Sequence, residues 1–382
     1  MQRAVITSSR LVIVTHELFY GAAHALRDYL AGIKGKDMVF ISHPIMPENP
    51  RSYIQVFWRG TIVRENKVTR PSGGIVWYAV DSMLTVFWVI KEMNKYDLFV
   101  GVDPLNCLIG LFLRTFGLVH RVIFYSIDFV PRRFDSRLLN SIYHGIEWVC
   151  VRFADECWDV SPRIARGRHT VLGISPTGYP ARIVPIGVWK KDIVRSVSYD
   201  AHQFSFVGHL LPKQGVDTVL EALPAVIKRV PGASFLVIGG GEDEARLRCL
   251  ADTLGIARHV TFTGWIHDQV NLRRRLARCA FAVAPYDPQG RDTGNFTYYA
   301  DPTKIKTYLA CGLPVVMTDV PYNAKKLEKD GCAMVVPYTK RAIAAALARW
   351  LTDRHALTSA RRNAVRLARR YTWEEIFAEA VA

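Results

Sequence analysis

Short β-branched runs alternate with longer amphipathic stretches along most of the chain, and that rhythm leaves few folds open. LVIVT is followed by GAAHALRDYLAGI, DLFVGV by LNCLIGLFLRTFG, and RVIFYSI by RLLNSIYHGIEWVCVRF. After residue 200 it resumes with FSFVG and VDTVLEALPAVIKRV, SFLVIGGG and EDEARLRCLADTLG, then CAFAVAP, KIKTYLACG and LPVVMT. Apolar runs of strand length alternating with helices read as βαβ units on a parallel sheet. The chain has 382 residues, 50% of them hydrophobic, which is enough to fill two cores and too long for one. The expectation is an α/β protein of two Rossmann-like, doubly wound domains. The seam is expected in Val188–Gln203, a polar and charged stretch without a clean period. That gives a first domain over residues 1–188, a second over 203–370, and a terminal helix over 371–382 that can pack back on the first domain.

Fifty Lys and Arg against 34 Asp and Glu leave a formal charge of +16, which points to anionic company: a nucleoside diphosphate, an acidic lipid surface or nucleic acid. The basic clusters, such as Arg273-Arg274-Arg275 and the arginines between 361 and 370, lack an RNA-binding or helix-turn-helix context, so no nucleic-acid partner is expected. Seven cysteines, an odd number with no CxxC pair, argue against a disulfide framework or a zinc site. Cys107, Cys150, Cys249, Cys279 and Cys311 lie in apolar surroundings and read as buried thiols of a cytoplasmic protein. The apolar stretches fall short of the ~18 uninterrupted residues of a membrane span, and the run after the N-terminus is too short for a signal peptide. Trp77, Tyr78, Phe87 and Trp88, followed by Lys91 and Lys95, read either as core or as an interfacial element for peripheral contact with an anionic membrane. DxD, GxxxxGK[ST], HExxH and GxSxG are absent, so metal-bridged transfer, P-loop hydrolysis, zincin proteolysis and α/β-hydrolase chemistry lose support, and no cofactor or metal is expected.

In open α/β sheets ligands bind beyond the carboxyl ends of the strands, so two such domains facing a central cleft would line it with their strand-end loops. Gly21, in Tyr20-Gly21-Ala22-Ala23, opens the first helix where backbone N–H groups can approach an anion, or it serves packing. Gly208, His209, Lys213, Gln214 and Gly215 form a strand-to-helix loop carrying a cation, an imidazole and an amide, a mixture suited to a diphosphate. Gly239, Gly240 and Gly241 permit close backbone approach but lack the third glycine of GxGxxG, which disfavours a hydride-transferring dinucleotide enzyme. The stretch Pro285–Gly312 is a long polar loop, costly without a ligand, and its Lys304 sits in a first helical turn, where the helix dipole disfavours a cation. Asp128 lies just past an apolar strand, where it can act as a general base or pair with Arg132 or Arg133.

FVGHLLPKQGVDTVLEAL, PGASFLVIGGGEDEARLRCLADTLGIARHVTFTGWIHD, ADPTKIKTYLACGLPVVMTD and YTWEEI, in that order, resemble family four of the GT-B glycosyltransferases over residues 203–373. The first domain is similar to GT-B enzymes in outline, through GVDPLN and YSIDFVPRRF, and Asp128 resembles the catalytic base of the inverting xanthan glucuronosyltransferase. The resemblance implies a metal-independent transferase that takes a UDP- or GDP-sugar as substrate and glycosylates a saccharide or polyprenyl-linked acceptor. It places the family's phosphate loop on Gly208, His209, Gln214 and Gly215, with His for Arg and Gln for Lys. Its Glu-x7-Glu pair falls on Tyr299 and Thr307, and its first-domain histidine on Ile127. Lys304 resembles the diphosphate-binding lysine of a DPxK variant, so Lys304, with His209 and Lys213, is assigned to the leaving diphosphate and Asp128 to the acceptor hydroxyl. By the family pattern Gly239, Gly240, Trp265, Ile266, Tyr286, Tyr299, Asp301 and Thr307 contact the donor, and Gly21 and Asp103 the acceptor. A retaining reaction without a base and a non-catalytic nucleotide-sugar-binding subunit are the alternatives.

Overall fold

The expected apolar runs become buried strands. In the computed structural model, which describes residues 10–17, 20–33, 35–43, 51–69, 76–92, 95–194, 198–288 and 296–381, Leu11, Val12, Ile13 and Val14 are wholly buried in β1 (Arg10–Thr15). The chain divides into two units, one comprising 1–186 with 373–382 and the other 187–372.

In the first unit β1 is followed by α1 (Ala22–Ala31), β2 (Asp37–Ser42), β3 (Arg51–Trp58), β4 (Thr61–Thr69), α2 (Val76–Glu92), β5 (Tyr96–Val102) and α3 (Pro104–Thr115). Then come β6 (Val119–Ser126), α4 (Arg137–Phe153), β7 (Glu156–Asp159), α5 (Pro162–Leu172) and β8 (Ala181–Ile183). The sheet order is β4-β3-β2-β1-β5-β6-β7-β8, parallel from β2 to β8, with β3 and β4 added antiparallel. The β3–β4 hairpin was not expected from the sequence. Its two-residue turn places Arg59 at φ 48° and Gly60 at φ 84°, as a tight hairpin turn compatible with strand twist requires. Every residue of β4 is exposed, so the apolar signal that betrays a buried strand is missing there.

In the second unit β9 (Asp200–Val207), α6 (Val216–Arg229), β10 (Ser234–Ile238), α7 (Glu244–Thr253), β11 (Val260–Phe262), α8 (Gln269–Ala277) and β12 (Cys279–Ala284) come first. They are followed by α9 (Phe296–Tyr299), α10 (Thr303–Ala310), β13 (Val315–Met317), α11 (Ala324–Lys329), β14 (Ala333–Val335), α12 (Lys340–Thr352) and α13 (Arg354–Ala368). All pairs are parallel in the order β11-β10-β9-β12-β13-β14, the doubly wound order of dinucleotide-binding sheets. One core packs Phe204, Phe235 and Phe281 against α6 and α12, and another packs β12 and β13 against α10. β9 begins inside the stretch expected as linker, of which residues 195–197 lie outside the described part.

The last helix, α14 (Trp373–Val381), belongs to the first unit, where Phe377 lies 5.5 Å from the Tyr29 ring of α1. Of the aromatic stretch near residue 80, Trp88 is core while Phe87 is exposed beneath Lys91. Cys249 is exposed, which corrects its reading as a buried thiol, whereas the other cysteines are buried.

Arg168 of α5 is fully buried in the first unit, donating to Glu147 at 2.9 Å and to both oxygens of Asp159 at 2.8 and 3.0 Å. Removing one member of such a cluster strands the others without a counter-ion in low dielectric. Arg168→Leu is therefore expected to cost about 3–5 kcal/mol of stability, read as a lowered urea midpoint, and an unchanged midpoint would contradict it.

Candidate functional site

Three neighbouring strands of the first unit end at one cavity. His16 and Glu17 follow β1, Asp103 follows β5, and Ile127 and Asp128 follow β6; all line a space of about 290 Å³. Helix α4 supplies Leu139, Ile142 and Ile146, so the wall is apolar where the strand ends are polar.

His16 is held firmly. Its Nδ1 lies 2.6 Å from Asp103 Oδ2, and its side chain is 7% exposed. Asp103 is fixed in turn: Asn106 donates its backbone N–H at 3.0 Å and its side-chain amide at 2.8 Å. The Asp103 backbone sits at φ 85°, which costs a non-glycine residue about 1–3 kcal/mol and persists only where the surroundings enforce it. A carboxylate only accepts, so Nδ1 carries the hydrogen. Asn106 Nδ2 also lies 2.9 Å from Nδ1 and 2.9 Å from the Val102 carbonyl. Nε2 has no hydrogen-bond partner; Asp81 Oδ2 stands 3.8 Å away, beyond bonding distance.

Asp128 accepts from Arg133 through both oxygens, at 2.7 and 2.8 Å, the pairing that was the alternative to its role as a base. The first-turn N–H groups of Ala22 and Ala23, where an external anion was expected beside Gly21, instead donate to Glu17 at 2.9 and 2.8 Å. A Cβ on Gly21 would run into that carboxylate, so Gly21 leaves room for an internal anion. Burial lifts Glu17 to about 7.

In the second unit the glycine loops converge. Gly208 at φ 144° and Gly239 at φ 134° lie so close that a Cβ on Gly239 would overlap the Gly208 carbonyl. Gly239 N donates to Gly264 O at 2.9 Å, and His209 meets the Trp265 ring edge-on at 4.9 Å, with Gly240 against the same indole. Lys304 reaches this cluster from α10. Its Nζ lies against Gly208, donates to Gln214 Oε1 at 2.6 Å, and stands 4.2 Å above Phe206 and 5.0 Å above Tyr286. Burial without a carboxylate lowers Lys304 to about 7, and burial also lowers Lys213.

The remaining donor candidates divide. Ile266 is partly buried against the core beside Trp265. Tyr286 is buried with no partner on its hydroxyl. Asp301 is 3% exposed, and the buried Lys306 donates to both its oxygens at 2.7 Å. Tyr299 is buried, and the Thr307 hydroxyl donates to the Thr303 carbonyl at 3.3 Å. Residues 289–295 of the loop expected to hold a ligand lie outside the described part.

The sequence reading missed His16, Glu17 and Tyr143. His16 and Glu17 directly follow the first strand, the same signal that selected Asp103 and Asp128. Tyr143, under Arg133 at 4.8 Å, gives no signal in a helix otherwise read as amphipathic.

Residues 201–353 match the family described as Glycosyl transferases group 1. Over 60 residues the chain is 45% identical to a GDP-mannose-dependent alpha-(1-6)-phosphatidylinositol monomannoside mannosyltransferase of Mycobacterium tuberculosis; the match covers 16% of each protein, so the chain spans about a sixth of that relative. The fold matches sucrose-phosphate synthase from Thermosynechococcus elongatus with a TM-score of 0.75 at 17% identity over 97% of both chains. It also matches Anabaena HepE in complex with UDP, with a TM-score of 0.67 at 14% identity over 97% of this chain and 99% of that one. The fold is GT-B, as the sequence led one to expect.

A lysine that is neutral above about 7 must gain a proton when a diphosphate approaches, since the anion favours its charged form. Binding of GDP or UDP at pH 8 is therefore expected to take up a proton, and affinity to weaken as pH rises above about 7. Calorimetry in buffers of different ionisation enthalpy reads the uptake, and Lys304→Met abolishes it. Proton release, or uptake unchanged in the variant, would contradict the assignment.

Proposed function

We propose that this chain transfers a sugar from a nucleotide-sugar donor to a hydroxyl of a saccharide or lipid-linked saccharide. The second unit holds the nucleotide and the cavity of the first holds the acceptor. The observation that carries this reading is Lys304, set among glycine-bordered strand ends within the segment that matches Glycosyl transferases group 1. Negative charge grows on the departing diphosphate in the transition state, and a preorganised cation there acts where it is needed. Lys304, with His209 and Lys213 of the loop after β9, supplies that charge. The relative named for GDP-mannose and the neighbour that carries UDP both use a nucleoside diphosphate, the part of the donor that Lys304 recognises.

In the acceptor cavity Asp128 and Arg133 form a fork whose donors and acceptors suit sugar hydroxyls, while Leu139, Ile142 and Ile146 suit an apolar portion. An amphipathic acceptor such as a polyprenyl-linked saccharide fits both. Exposed Met83, Phe87 and Ile90 on α2, with Lys91, favour peripheral contact with an anionic membrane from the cytoplasmic side. Among the described residues no helix is long and apolar enough to cross a bilayer. A non-catalytic nucleotide-sugar-binding subunit is the second reading, favoured by Tyr299 and Thr307 where the family resemblance assigns carboxylates.

A thermal-shift screen of UDP, GDP and ADP and their sugars tests the proposal. The matching nucleotide at a hundred times its dissociation constant is expected to stabilise the chain by about 2.7 kcal/mol. Donor turnover then separates the transferase from the binding subunit, and no shift with any nucleotide would sink both. Flotation with phosphatidylserine-containing vesicles is expected to show binding that falls with salt and weakens in Phe87→Ser; salt-insensitive or absent binding removes the membrane contact.

A further inference from the structure

We infer that β4 is a homodimer interface: its outer edge pairs antiparallel with β4 of a second copy about a two-fold axis through Asn66, joining the two first-unit sheets. The inference is independent of the transferase reading, because neither candidate site takes part in it. Strand β4 ends the sheet, with β3 on one side and, among the described residues, no strand on the other. An edge of this kind presents a row of N–H and C=O groups ready to pair. It runs for nine residues and every one is exposed, Ile62 at 48% and Val63 at 60% among them. The helices pack on β3 instead: Trp88 of α2 shares a core with Ile54 and Val56, and Arg27 of α1 reaches Gln55 at 3.1 Å. Arg64 of β4 pairs with Glu92 at the end of α2, so its charge is balanced within the copy.

The charges on β4 select both the partner and the register. A two-fold axis that continues a sheet antiparallel stands normal to it and keeps each face on its own side. It therefore passes through a residue, which meets its own copy, and residues equally far from it on either side meet each other. No buried face of β4 fixes where the axis falls, so the side-chain pairs decide. Arg64, Glu65 or Lys67 on the axis would set a like charge against itself. Val63 faces no residue of β3, since Val56 meets Arg64 and Phe57 meets Ile62, and the ladder is irregular there. Val68 on the axis would leave only Lys67, Val68 and Thr69 to pair. With Asn66 on the axis, Glu65 of each copy faces Lys67 of the other and Arg64 faces Val68. Two opposite-charge pairs form, and no like charges meet. Within one copy Lys67 already lies 2.7 Å from Glu65, so in the dimer the four charges alternate in sign around a common centre. Edge charges usually discourage pairing, whereas these are self-complementary in one register, as an isologous interface requires.

The test is sedimentation of the full chain and its variants over a concentration series. One strand per copy makes a small interface, below about 1,200 Å², so the dimer is expected toward the upper end of a series from about 1 μM to about 1 mM. Glu65→Lys and Lys67→Glu each set like charges opposite one another and are expected to weaken it about tenfold or more. The double variant restores opposite pairs and with them the wild-type affinity. So does an equimolar mixture of the two single variants, in which one copy carries two lysines and the other two glutamates. Circular dichroism is unchanged throughout, since every residue of β4 is exposed. Asn66→Cys, combined with Cys249→Ser to remove the exposed native thiol, is expected to cross-link to itself on oxidation. Its Cα separation across the axis, about 4.5–5.5 Å, lies within disulfide range. Val68→Cys in the same background, two positions off the axis, does not cross-link. A wild type that stays monomeric throughout the series overturns the inference. So does a dimer that both single reversals leave intact, a mixture of the two that stays monomeric, or Val68→Cys cross-linking as readily as Asn66→Cys.

Discussion

Parallel strand pairing is the constraint on which both candidate sites depend. β1 and β5 pair with Val14 opposite Gly101, so two further steps along each strand bring His16 level with Asp103, although 87 residues separate them. The same logic operates in the second unit, where Val207 opposite Ile238 carries Gly208 against Gly239. A register slip of one residue would turn every side chain to the other face. Leu11, Val12, Ile13 and Val14 are packed on both faces of β1, so a slip would mismatch side-chain shapes in two close-packed layers. The core thus sets the geometry of polar groups that lie just outside it.

Several charges near these strand ends are neutralised from within the chain. Glu17 occupies the N-terminus of α1, Arg133 holds Asp128, and Lys306 holds Asp301. Such groups shape the site with their charges balanced inside the chain, so what they offer a ligand is hydrogen bonding and not net charge. Lys304 and His16 are different in kind. Lys304 has an amide oxygen and two aromatic faces for company but no carboxylate, so burial leaves it near the point of losing its charge. His16 keeps an unpaired nitrogen. Under the proposed function a donor anion would restore the charge of the first.

Much of this was legible in the sequence. The strands, the glycine loops and Lys304 followed from apolar runs, chain breakers and a cation in the wrong half of a helix. The β3–β4 hairpin did not, because an exposed antiparallel strand such as β4 has no buried face to advertise. The Lys306 partner of Asp301 was not legible, because a loop aspartate before a helix looks the same whether it meets a ligand or a lysine five residues on. Nor was Glu17 at the start of α1, four residues before Gly21. His16 was passed over because one histidine shows no spacing, and its partner is fixed by sheet register, which the sequence does not print.

The departures from the family pattern bear on how a reaction could run here. Where the resemblance assigns two glutamates, this chain has Tyr299, buried, and Thr307, whose hydroxyl bonds its own helix. Neither supplies a negative charge to a sugar. Under the proposed function Lys304 would pair with the leaving phosphate, and a lysine lowered by burial gains its proton as that anion approaches.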